Sequence, residues 1–511
     1  MYVERIMKVY KSIWLLVLII FFSCADEERY PEITEDYCSE FSRNPLPSIF
    51  NYLPSDSSGS AVYSLEEGDQ SMILRAWASE SATKSIDIQY FIFSADNIGL
   101  IAIDYLLRAA DRGVQVRLIV DDILVEADAR ELIALDAHPN LSIKIYNPTV
   151  NIGKSLPDKL HSLAADFRGF NQRMHNKTFV VDNQFVITGG RNIADEYFDY
   201  DHEYNFRDRD VMLTGEVVDQ VQSSFELFWE STLSVPVKDL VSDEDQLDAL
   251  TAFEYIHQYA CNPVNFWPEV RKKIALFPSR FEQLQASGQI LQVNLVSFVS
   301  DDPGKNDGSE GLGGGGRSTD SLIALIDGAK ESILIQSPYL VTTELSQSLF
   351  KAAIDRGVSI KILTNSLVST DNLEAFSGYQ RERDNLLSIG VEIYEFRPDA
   401  KVRYEVMQSA LQKEMDYTPL FGLHAKSMVV DGKVAIIGTF NLDPRSANLN
   451  TECVTIIHDT AFTGKLASVM DNEFLPENSW HTTYDFNPDD EASWGKRFQL
   501  WLRGVVPKSV L

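Results

Sequence analysis

The pattern His-x-Lys-x-x-x-x-Asp occurs twice in this chain of 511 residues, and each copy is followed, after six intervening residues, by Gly-small-x-Asn. The copies lie 249 residues apart (424 − 175), and two matches with the same internal spacing are far more than chance predicts. The matched residues are His175, Lys177, Asp182 and Asn192 in the first copy, and His424, Lys426, Asp431 and Asn441 in the second. Paired histidines and lysines are the groups needed to cleave or exchange a phosphodiester without a metal ion.

If the two copies meet at one phosphorus atom, one imidazole can attack it and form a phosphohistidine. The other imidazole, when protonated, donates its proton to the leaving alkoxide. Histidine suits both roles because its unperturbed pKa is about 6.5. The lysines and asparagines would stabilise charge on the non-bridging oxygens, by about 3 kcal/mol for each well-placed donor. The pattern does not say which histidine is the nucleophile.

Apolar runs on both sides of a turn make each copy typical of a β-hairpin, with first strands within 174–181 and 423–430. Residues i and i+2 of a strand project to the same face, so the histidine and the lysine of each copy point together. Asp182 and Asp431 at the turns cannot share that face, and we expect them to be structural and to bridge the two lobes. The glycines before each asparagine would let the backbone approach a phosphate.

Each catalytic histidine needs a carboxylate on its second ring nitrogen, which fixes the tautomer and the orientation of the ring. Glu452 lies 28 residues after His424, at the start of an apolar run that predicts a strand. Asp208 holds the equivalent place in the first half, and Asp210 and Glu196 are alternatives to it. We therefore expect Glu452 and Asp208 to support the imidazoles.

A longer internal repeat surrounds the two motifs. The segment 84–89 resembles 331–336 at an offset of 247 residues, and Asp-Arg-Gly-Val at 111–114 recurs at 355–358, an offset of 244. Helical and strand-like patterns alternate within each half, and the glycine of the tetrapeptide is placed to end a helix. This alternation predicts an α/β fold with two tandem lobes, each a mixed β-sheet flanked by helices, related by a pseudo-two-fold axis and sharing one active site.

The composition limits the partners of the protein. Hydrophobic residues make up 44% of the chain and charged residues 23%, which is typical of a globular enzyme. The net charge of −30 argues against a nucleic-acid-binding protein, so an anionic substrate must be bound in a local cationic pocket. Cys38, Cys261 and Cys453 show no zinc-type spacing and no disulfide framework, and we expect no metal ion and no cofactor.

The N-terminus has the pattern of a targeting segment. Basic residues precede an apolar run at 13–22, which is about half the ~20 residues needed to span a bilayer and therefore favours a signal peptide. The end of this run resembles a bacterial lipoprotein signal, which predicts removal of 1–23 and lipidation of Cys24. A secretory signal with an incidental cysteine is the alternative. The lipoprotein interpretation places the protein on a bacterial membrane, anchored by lipid outside the cytoplasm.

The doubled motif is the signature of the phospholipase D superfamily, which this chain resembles over nearly all of residues 60–480. The resemblance is strongest to the bacterial cardiolipin synthase branch, and within it to the C-type enzymes. It rests on the segments Gly189–Ile193, Ser337–Tyr339, Thr364–Leu367, Gly438–Ser446 and Leu449–Glu452. The resemblance implies a phospholipid membrane as partner and transfer of a phosphatidyl group to phosphatidylglycerol, giving cardiolipin. The donor would be phosphatidylglycerol or phosphatidylethanolamine, with His175 as nucleophile and His424 as acid.

Three alternatives remain open at this point. The same residues would serve a hydrolase that uses water as the acceptor and releases phosphatidic acid. The superfamily also contains nucleases and other phosphodiesterases, which the net charge of −30 disfavours. A non-catalytic lipid-binding scaffold would not need two complete sets of histidine, lysine and asparagine.

The sequence also predicts the organisation of the chain. We expect a signal at 1–23, an extension at 24–59, a first lobe at 60–240, a helical connector at 241–285, a second lobe at 286–480 and a tail at 481–511. The run of aromatic and basic residues at 494–503 predicts either a helix at a membrane interface or an ordinary amphipathic helix packed on the second lobe. Weaker candidates for headgroup or phosphate contacts are Arg191, Arg445, Tyr379 and Arg381.

Overall fold

The computed structural model describes residues 46–53, 59–122, 129–148, 172–240, 249–305, 312–407 and 418–504. The predicted signal at 1–23, the lipidation at Cys24 and most of the predicted extension at 24–59 lie outside these residues. No helix within the described ranges is long and apolar enough to cross a membrane.

Strands and helices alternate along the described residues. The strands are β1 (Ser60–Leu65), β2 (Ser85–Tyr90), β3 (Gln115–Asp121), β4 (Leu141–Tyr146), β5 (Thr178–Val181), β6 (Phe185–Gly189), β7 (Tyr204–Arg207), β8 (Asp210–Gly215), β9 (Ser234–Pro236), β10 (Leu291–Val293), β11 (Val296–Ser300), β12 (Ser332–Gln336), β13 (Ser359–Asn365), β14 (Glu392–Phe396), β15 (Leu420–Leu423), β16 (Ser427–Val430), β17 (Val434–Gly438), β18 (Cys453–His458) and β19 (Ser479–Thr482). The helices are α1 (Gly68–Ser81), α2 (Asn97–Asp111), α3 (Ala129–Asp136), α4 (Val217–Trp229), α5 (Ala249–Cys261), α6 (Pro268–Ala286), α7 (Arg317–Gly328), α8 (Glu344–Asp355), α9 (Leu373–Ile389), α10 (Arg403–Val406), α11 (Pro444–Asn448), α12 (Thr460–Glu473) and α13 (Trp494–Arg503).

Each lobe is built on one mixed sheet. The first sheet has the order β10-β1-β8-β6-β5-β2-β3-β4-β9, and the second has the order β11-β18-β17-β16-β12-β13-β14-β19. Strands β2-β3-β4 and β12-β13-β14 pair in parallel, and the other pairs in these sheets are antiparallel. The predicted α/β fold with two equivalent lobes is therefore confirmed. Because β10 pairs with β1, the first sheet extends beyond the predicted lobe boundary at 286.

The repeated Asp-Arg-Gly-Val tetrapeptide ends a helix in both lobes. Gly113 follows α2 with a φ of +91°, and Gly357 follows α8 with a φ of +93°, a left-handed conformation that glycine adopts without steric cost. In both lobes the amide of the next valine donates to the carbonyl five residues earlier, at 3.1 Å. The same cap therefore directs the chain into β3 and β13, the middle strand of each parallel set.

The two motif copies form β-hairpins, as predicted. Strands β5 and β6, and β16 and β17, are joined by turns whose two central residues have φ between +52° and +59°, the conformation that matches strand twist. The turn aspartates do not bridge the lobes, which corrects the sequence-based expectation. Asp182 accepts hydrogen bonds from the backbone amides of residues 83–85, and Asp431 from those of residues 330–332. Each aspartate therefore fixes its hairpin to the neighbouring strand of its own lobe.

The two lobes are held together by apolar, backbone and charged contacts. An apolar cluster between the sheets takes residues from both lobes, among them Val180, Val186, Leu213, Val429, Ala435 and Ile437. Strands β7 of the first lobe and β15 of the second form a separate two-stranded parallel sheet. Buried Arg207 donates to Glu473 at 2.5 Å, and buried Arg209 donates to Gln336 at 2.7 Å and to Ser427 at 2.8 Å. These bonds fix the loop between β7 and β8.

The two cysteines within the described residues differ in their bonding. Cys453 in β18 is free and completely buried in the core. Cys261 at the end of α5 is disulfide-bonded. The sequence did not indicate this bond, because scattered cysteines without characteristic spacing carry no signal for pairing.

Candidate active site

The histidine and the lysine of each motif lie in the extended segment that leads into the hairpin. His175 and Lys177 precede β5, and His424 and Lys426 precede β16. All four are buried, with exposed fractions of 6%, 1%, 5% and 4% in that order. Groups of this kind, withdrawn from water, need polar partners nearby.

The second-lobe histidine is supported by a carboxylate of the first lobe. Leu423 in β15 lies opposite Arg207 in β7, and the amide of His424 donates to the carbonyl of Arg207 at 2.8 Å. The residue after Arg207 is Asp208, whose Oδ2 lies 2.6 Å from Nδ1 of His424. The pairing of the two strands therefore places Asp208 beside His424.

The first-lobe histidine is supported in the same way by the second lobe. Met174 forms a parallel bridge with Thr451, and the amide of His175 donates to the carbonyl of Thr451 at 3.0 Å. The residue after Thr451 is Glu452, whose Oε2 lies 2.8 Å from Nδ1 of His175. In both pairs the hydrogen bond at Nδ1 leaves Nε2 available for chemistry.

Asp208, rather than Asp210 or Glu196, is therefore the carboxylate beside the second-lobe histidine. Asp210 instead accepts hydrogen bonds from Ser71 at 2.7 Å and from Arg75 at 3.0 Å. In one continuous strand residues 208 and 210 would point to the same side, but β8 begins only at Asp210, so Asp208 lies before the strand and its side chain takes a different direction.

The two carboxylates are themselves held in place. The backbone amide of Arg209 donates to Oδ1 of Asp208 at 2.7 Å. The hydroxyl of Thr439 donates to Oε2 of Glu452, and the amide of Glu452 donates to Asp301 at 2.9 Å. These contacts orient the carboxylates of Asp208 and Glu452 before any substrate binds, as preorganised catalysis requires.

The glycines before the asparagines are required by the packing of the protein, and the approach of a phosphate to their backbone stays a prediction. A Cβ atom on Gly190 would lie 2.0 Å from Oδ1 of Asp208. A Cβ atom on Gly438 would lie 2.3 Å from the carbonyl oxygen of Cys453. Both positions therefore need glycine because other protein atoms fill the space.

The environment of the imidazoles keeps them neutral near pH 7. Burial lowers the pKa of His175 to about 4 and that of His424 to about 3, and the neighbouring lysines act in the same direction. Burial opposes ionisation of Glu452 and Asp208, but the adjacent histidines and lysines outweigh it and hold the pKa of both carboxyl groups below the usual range. Each neutral imidazole can thus donate from Nδ1 to an ionised carboxylate.

The pKa values of both active-site lysines lie below the usual value for lysine. Nζ of Lys177 donates to the carbonyl of His175 at 2.8 Å, and Nζ of Lys426 lies 3.0 Å from Nε2 of His424. Burial lowers the pKa of Lys177 to about 7, with a contribution from the nearby charge of Lys426, and lowers the pKa of Lys426 to about 8. An anionic phosphodiester in this pocket would favour the charged form of both.

The two asparagines differ in their bonding. Oδ1 of Asn192 accepts a hydrogen bond from the amide of Ile92 at 3.1 Å. Asn441 is 5% exposed, and its Oδ1 has no hydrogen-bond partner among the described residues. A buried polar atom without a partner is uncommon and marks a site where a ligand or water is expected.

Aromatic rings that the sequence analysis missed line both imidazoles. The ring of Phe91 lies 5.0 Å from that of His175, and the rings of Tyr197 and Phe206 lie 5.1 and 4.7 Å from that of His424. Phe91 directly follows β2, at the carboxyl end of the parallel strands, and this position was the available signal. Close to the second lysine, the hydroxyl of Tyr339 donates to Asp371 at 2.8 Å.

Three of the four weaker candidates have partners within the protein. Arg191 is 1% exposed and donates to the main-chain carbonyls of residues 65, 66, 197 and 208, so it holds loops in place. Tyr379 is 1% exposed and donates to Glu395, and Arg381 donates to the carbonyl of Gly504 after α13. The charge of Arg445 interacts with that of Glu452. A contact between Arg445 and a phosphate stays a prediction.

Within the described residues, no group of three or more histidine, cysteine, aspartate or glutamate side chains is arranged to hold a metal ion.

Comparison with known proteins agrees with this geometry. Residues 79–229 and 322–475 match the family model described as "Cardiolipin synthase, PLD-like domain". Cardiolipin synthase C of Escherichia coli K12 is 32% identical over 459 residues, which cover 86% of this chain and 87% of that protein. An uncharacterized protein of Helicobacter pylori 26695 is 32% identical over 442 residues, covering 86% of this chain and 84% of that protein.

The fold is also shared with a solved structure of low sequence identity. The crystal structure of phosphatidylserine synthase from Haemophilus influenzae Rd KW20 has a TM-score of 0.57 at 15% identity and covers 90% of this chain and 96% of its own. Because the identity is low, this likeness concerns the fold alone. On the family match and the identity to cardiolipin synthase C, the chain is a member of the phospholipase D superfamily and belongs to the phosphatidyltransferases of its bacterial cardiolipin synthase branch.

Proposed function

We propose that the protein forms cardiolipin by transferring a phosphatidyl group from a donor phospholipid to phosphatidylglycerol through a covalent phosphohistidine. The observation that carries this proposal is the crossed arrangement of two histidine–carboxylate pairs, His175 with Glu452 and His424 with Asp208. Each pair fixes one imidazole through Nδ1, so one Nε2 is available for attack on phosphorus and the other for proton transfer.

In the first step Nε2 of His175 attacks the phosphorus of the donor, and the bond from phosphorus to the headgroup oxygen breaks. His424 donates a proton from Nε2 to that oxygen, so the headgroup leaves as an alcohol, glycerol or ethanolamine. Both imidazoles are neutral in the free protein, and the anionic phosphodiester favours protonation of His424 once it is bound. Lys177 and Lys426 stabilise the charge on the non-bridging oxygens. The order of the two histidines follows the resemblance to family members.

In the second step a hydroxyl of phosphatidylglycerol attacks the phosphorus of the phosphohistidine. Nε2 of His424 accepts the hydroxyl proton, the bond between phosphorus and His175 breaks, and cardiolipin is released with the free imidazole restored. The amide of Asn441, whose Oδ1 has no partner within the described part of the chain, is available to bind substrate during both steps.

Product analysis tests this proposal. The purified protein is incubated with phosphatidylglycerol vesicles, with and without phosphatidylethanolamine, and lipids and released alcohols are separated. Cardiolipin with glycerol or ethanolamine supports the transferase and identifies the donor. Phosphatidic acid alone means that water is the acceptor and that the protein is a hydrolase.

We also propose that the protein is a lipoprotein anchored at Cys24 outside the cytoplasm. The N-terminal signal pattern supports this location, and so does the disulfide at Cys261, because disulfides persist mainly in oxidising compartments. Mass spectrometry of the mature N-terminus tests it. A diacylglycerol on Cys24 that is lost in Cys24→Ser is expected, and an unmodified Cys24 in the mature chain would contradict the proposal.

A further inference from the structure

Helix α13, near the end of the chain, exposes a set of stacked aromatic rings. The ring centroids of Trp494 and Phe498 are 5.6 Å apart and those of Phe498 and Trp501 are 5.9 Å apart, with nearly parallel planes. The three residues are 75%, 46% and 71% exposed, and Leu502 beside them is 52% exposed. We call these four residues the aromatic face of α13. Soluble proteins seldom leave a continuous apolar surface of this kind in water without a partner.

The helix is fixed to the second lobe by its opposite side. Leu500 is 4% exposed and belongs to the core of that lobe. Nζ of Lys496 donates to the carbonyls of Val368 at 3.0 Å and Thr370 at 3.2 Å, and Arg503 pairs with Glu374 at 2.6 Å. The prediction of a helix packed on the second lobe is thus right for one side of α13, while the anchoring contacts turn the aromatic face outward.

The charges of the helix favour a phospholipid surface over a second copy of the chain. Its cations are Lys496, Arg497 and Arg503, and it contains no acidic residue, in a chain whose net charge is −30. Two such helices face to face would repel each other. At a bilayer, tryptophan rings occupy the headgroup layer and arginine side chains reach phosphates. The ion pairs of Arg497 with Asp490 and Arg503 with Glu374 are partly exposed, so they compete weakly with lipid phosphates.

Helix α13, which carries the aromatic face, is anchored to a loop that borders the candidate active site. Lys496 of α13 binds the carbonyl of Thr370, and the next residue, Asp371, accepts a hydrogen bond from Tyr339. The charge of Asp371 acts on Lys496 and on the active-site Lys426 alike. A surface that binds the aromatic face is therefore brought to the loop that borders the active site.

We propose that the aromatic face of α13 docks on a phosphatidylglycerol-containing bilayer and holds the active site at the headgroup layer of the membrane that supplies its substrate. The inference rests on the proposed function for the identity of that substrate. The docking itself rests on the exposure, stacking and charge of α13 and is measured independently of turnover.

Fluorescence quenching by brominated lipid tests the docking in the mature chain, which lacks the predicted signal at 1–23 and with it Trp14. Vesicles contain phosphatidylglycerol and dibrominated phosphatidylcholine, whose bromines quench tryptophans that enter the bilayer. The wild-type chain should show a quenched component, and Trp494→Phe with Trp501→Phe should remove most of it, because phenylalanine keeps the apolar face but not the tryptophan emission. Trp267→Phe, directly before α6 and packed against the core of the first lobe, is the matched control and should leave the quenched component unchanged.

Two results would overturn the proposal. One is an unchanged quenched component in the Trp494→Phe/Trp501→Phe chain, which would place both rings outside the bilayer. The other is burial of both rings without lipid together with a dimer in sedimentation, which would assign the face to a second copy. Repeating the measurement in His175→Ala separates docking from chemistry. Quenching without cardiolipin formation by the wild type contradicts the proposed function alone, and cardiolipin formation without quenching contradicts the docking alone.

Discussion

Nδ1 of His175 lies 2.8 Å from Oε2 of Glu452, although the two residues are 277 positions apart and belong to different lobes. In the equivalent contact His424 of the second lobe is bonded to Asp208 of the first lobe. Each lobe therefore supplies one histidine, and the carboxylate that orients this histidine comes from the other lobe. The duplicated chain forms one active site for this reason, because a separate lobe would hold an imidazole without the carboxylate that orients it.

Replacing Glu452 by glutamine should reduce kcat by on the order of 10³-fold or more, because a neutral amide neither fixes the tautomer of His175 nor stabilises the imidazolium formed during turnover. The Michaelis constant should change little, since Glu452 is buried behind His175. Steady-state kinetics on mixed micelles of phosphatidylglycerol measure both constants.

The matched control for this change is Glu473→Gln. Glu473 is also a fully buried carboxylate near the lobe interface, but it binds Arg207 and Gln336 and contacts neither histidine. It should lower the stability of the protein with a much smaller effect on kcat of the folded fraction. Equal losses of kcat in the two variants would show that Glu452 acts through general stability.

The roles of the two histidines can be separated with a leaving group that needs no proton. With the phospholipid donor, His175→Ala and His424→Ala should each abolish turnover. With a p-nitrophenyl phosphodiester, His424→Ala should regain release of nitrophenolate in a first turnover, because this anion leaves unprotonated. His175→Ala should not regain it. Rapid-mixing absorbance records the release, and rescue of His175→Ala instead of His424→Ala would reverse the assignment.

With a p-nitrophenyl phosphodiester, whose leaving group needs no proton from His424, the profile of kcat/KM against pH should have two limbs set by the free protein. The acid limb should lie near pH 4, because burial lowers the pKa of His175 to about 4 and attack needs the unprotonated ring. The alkaline limb should begin near pH 7, because burial lowers the pKa of Lys177 to about 7 and the neutral amine formed above it no longer attracts phosphate.

Lys177→Arg tests the alkaline limb. A guanidinium stays charged at every pH used, so activity that survives the substitution should extend to higher pH. An alkaline limb that does not move would mean that another group, such as Lys426 with its pKa of about 8, sets it. A short-chain phosphodiester below its micelle concentration keeps changes in the membrane surface out of the profile.

The local parts of the site were predictable from sequence, and the contacts between lobes were not. The two hairpins follow from turn residues and apolar runs that are adjacent in the chain, and so does the placing of each histidine with its lysine. The crossing of Glu452 to His175 depends on the bridge between Met174 and Thr451, which no local pattern reports. Phe91, which belongs to the same lobe as His175, was missed even though its position directly after β2 was a usable signal.

Arg191 shows how a motif can mislead. It stands between a glycine and a candidate catalytic asparagine, a place where the sequence alone favours a cation that binds phosphate. Its guanidinium partners include the main-chain carbonyls of residues 65 and 66, which are 126 and 125 positions away in sequence and are brought near by the pairing of β1 with β8. Tyr379 was similarly misassigned, because its helix turns it to Glu395 in the core.

Arg209→Leu should destabilise the protein by about 3–5 kcal/mol, because it removes one partner of a buried charge pair with Glu66 and the bonds to Gln336 and Ser427 across the interface. Urea unfolding followed by tryptophan fluorescence measures the loss. Lys351→Ala, which breaks an ion pair with Asp355 that is about 60% exposed on both sides, should cost about 0.5 kcal/mol or less. Similar losses for both would contradict the structural role of Arg209.

Gly190→Ala should abolish most activity through the position of one carboxylate. The new Cβ would lie 2.0 Å from Oδ1 of Asp208, so the carboxylate must move away and its bond to His424 is lost. Gly464→Ala in α12 is the matched control, because a Cβ there meets no atom within 4 Å and alanine should stabilise the helix by about 0.5–1 kcal/mol. The activity of both variants is compared at equal folded concentration, established by circular dichroism. Normal turnover in Gly190→Ala would show that the exact placing of Asp208 is not needed, and that the crossed pairs do not govern the reaction.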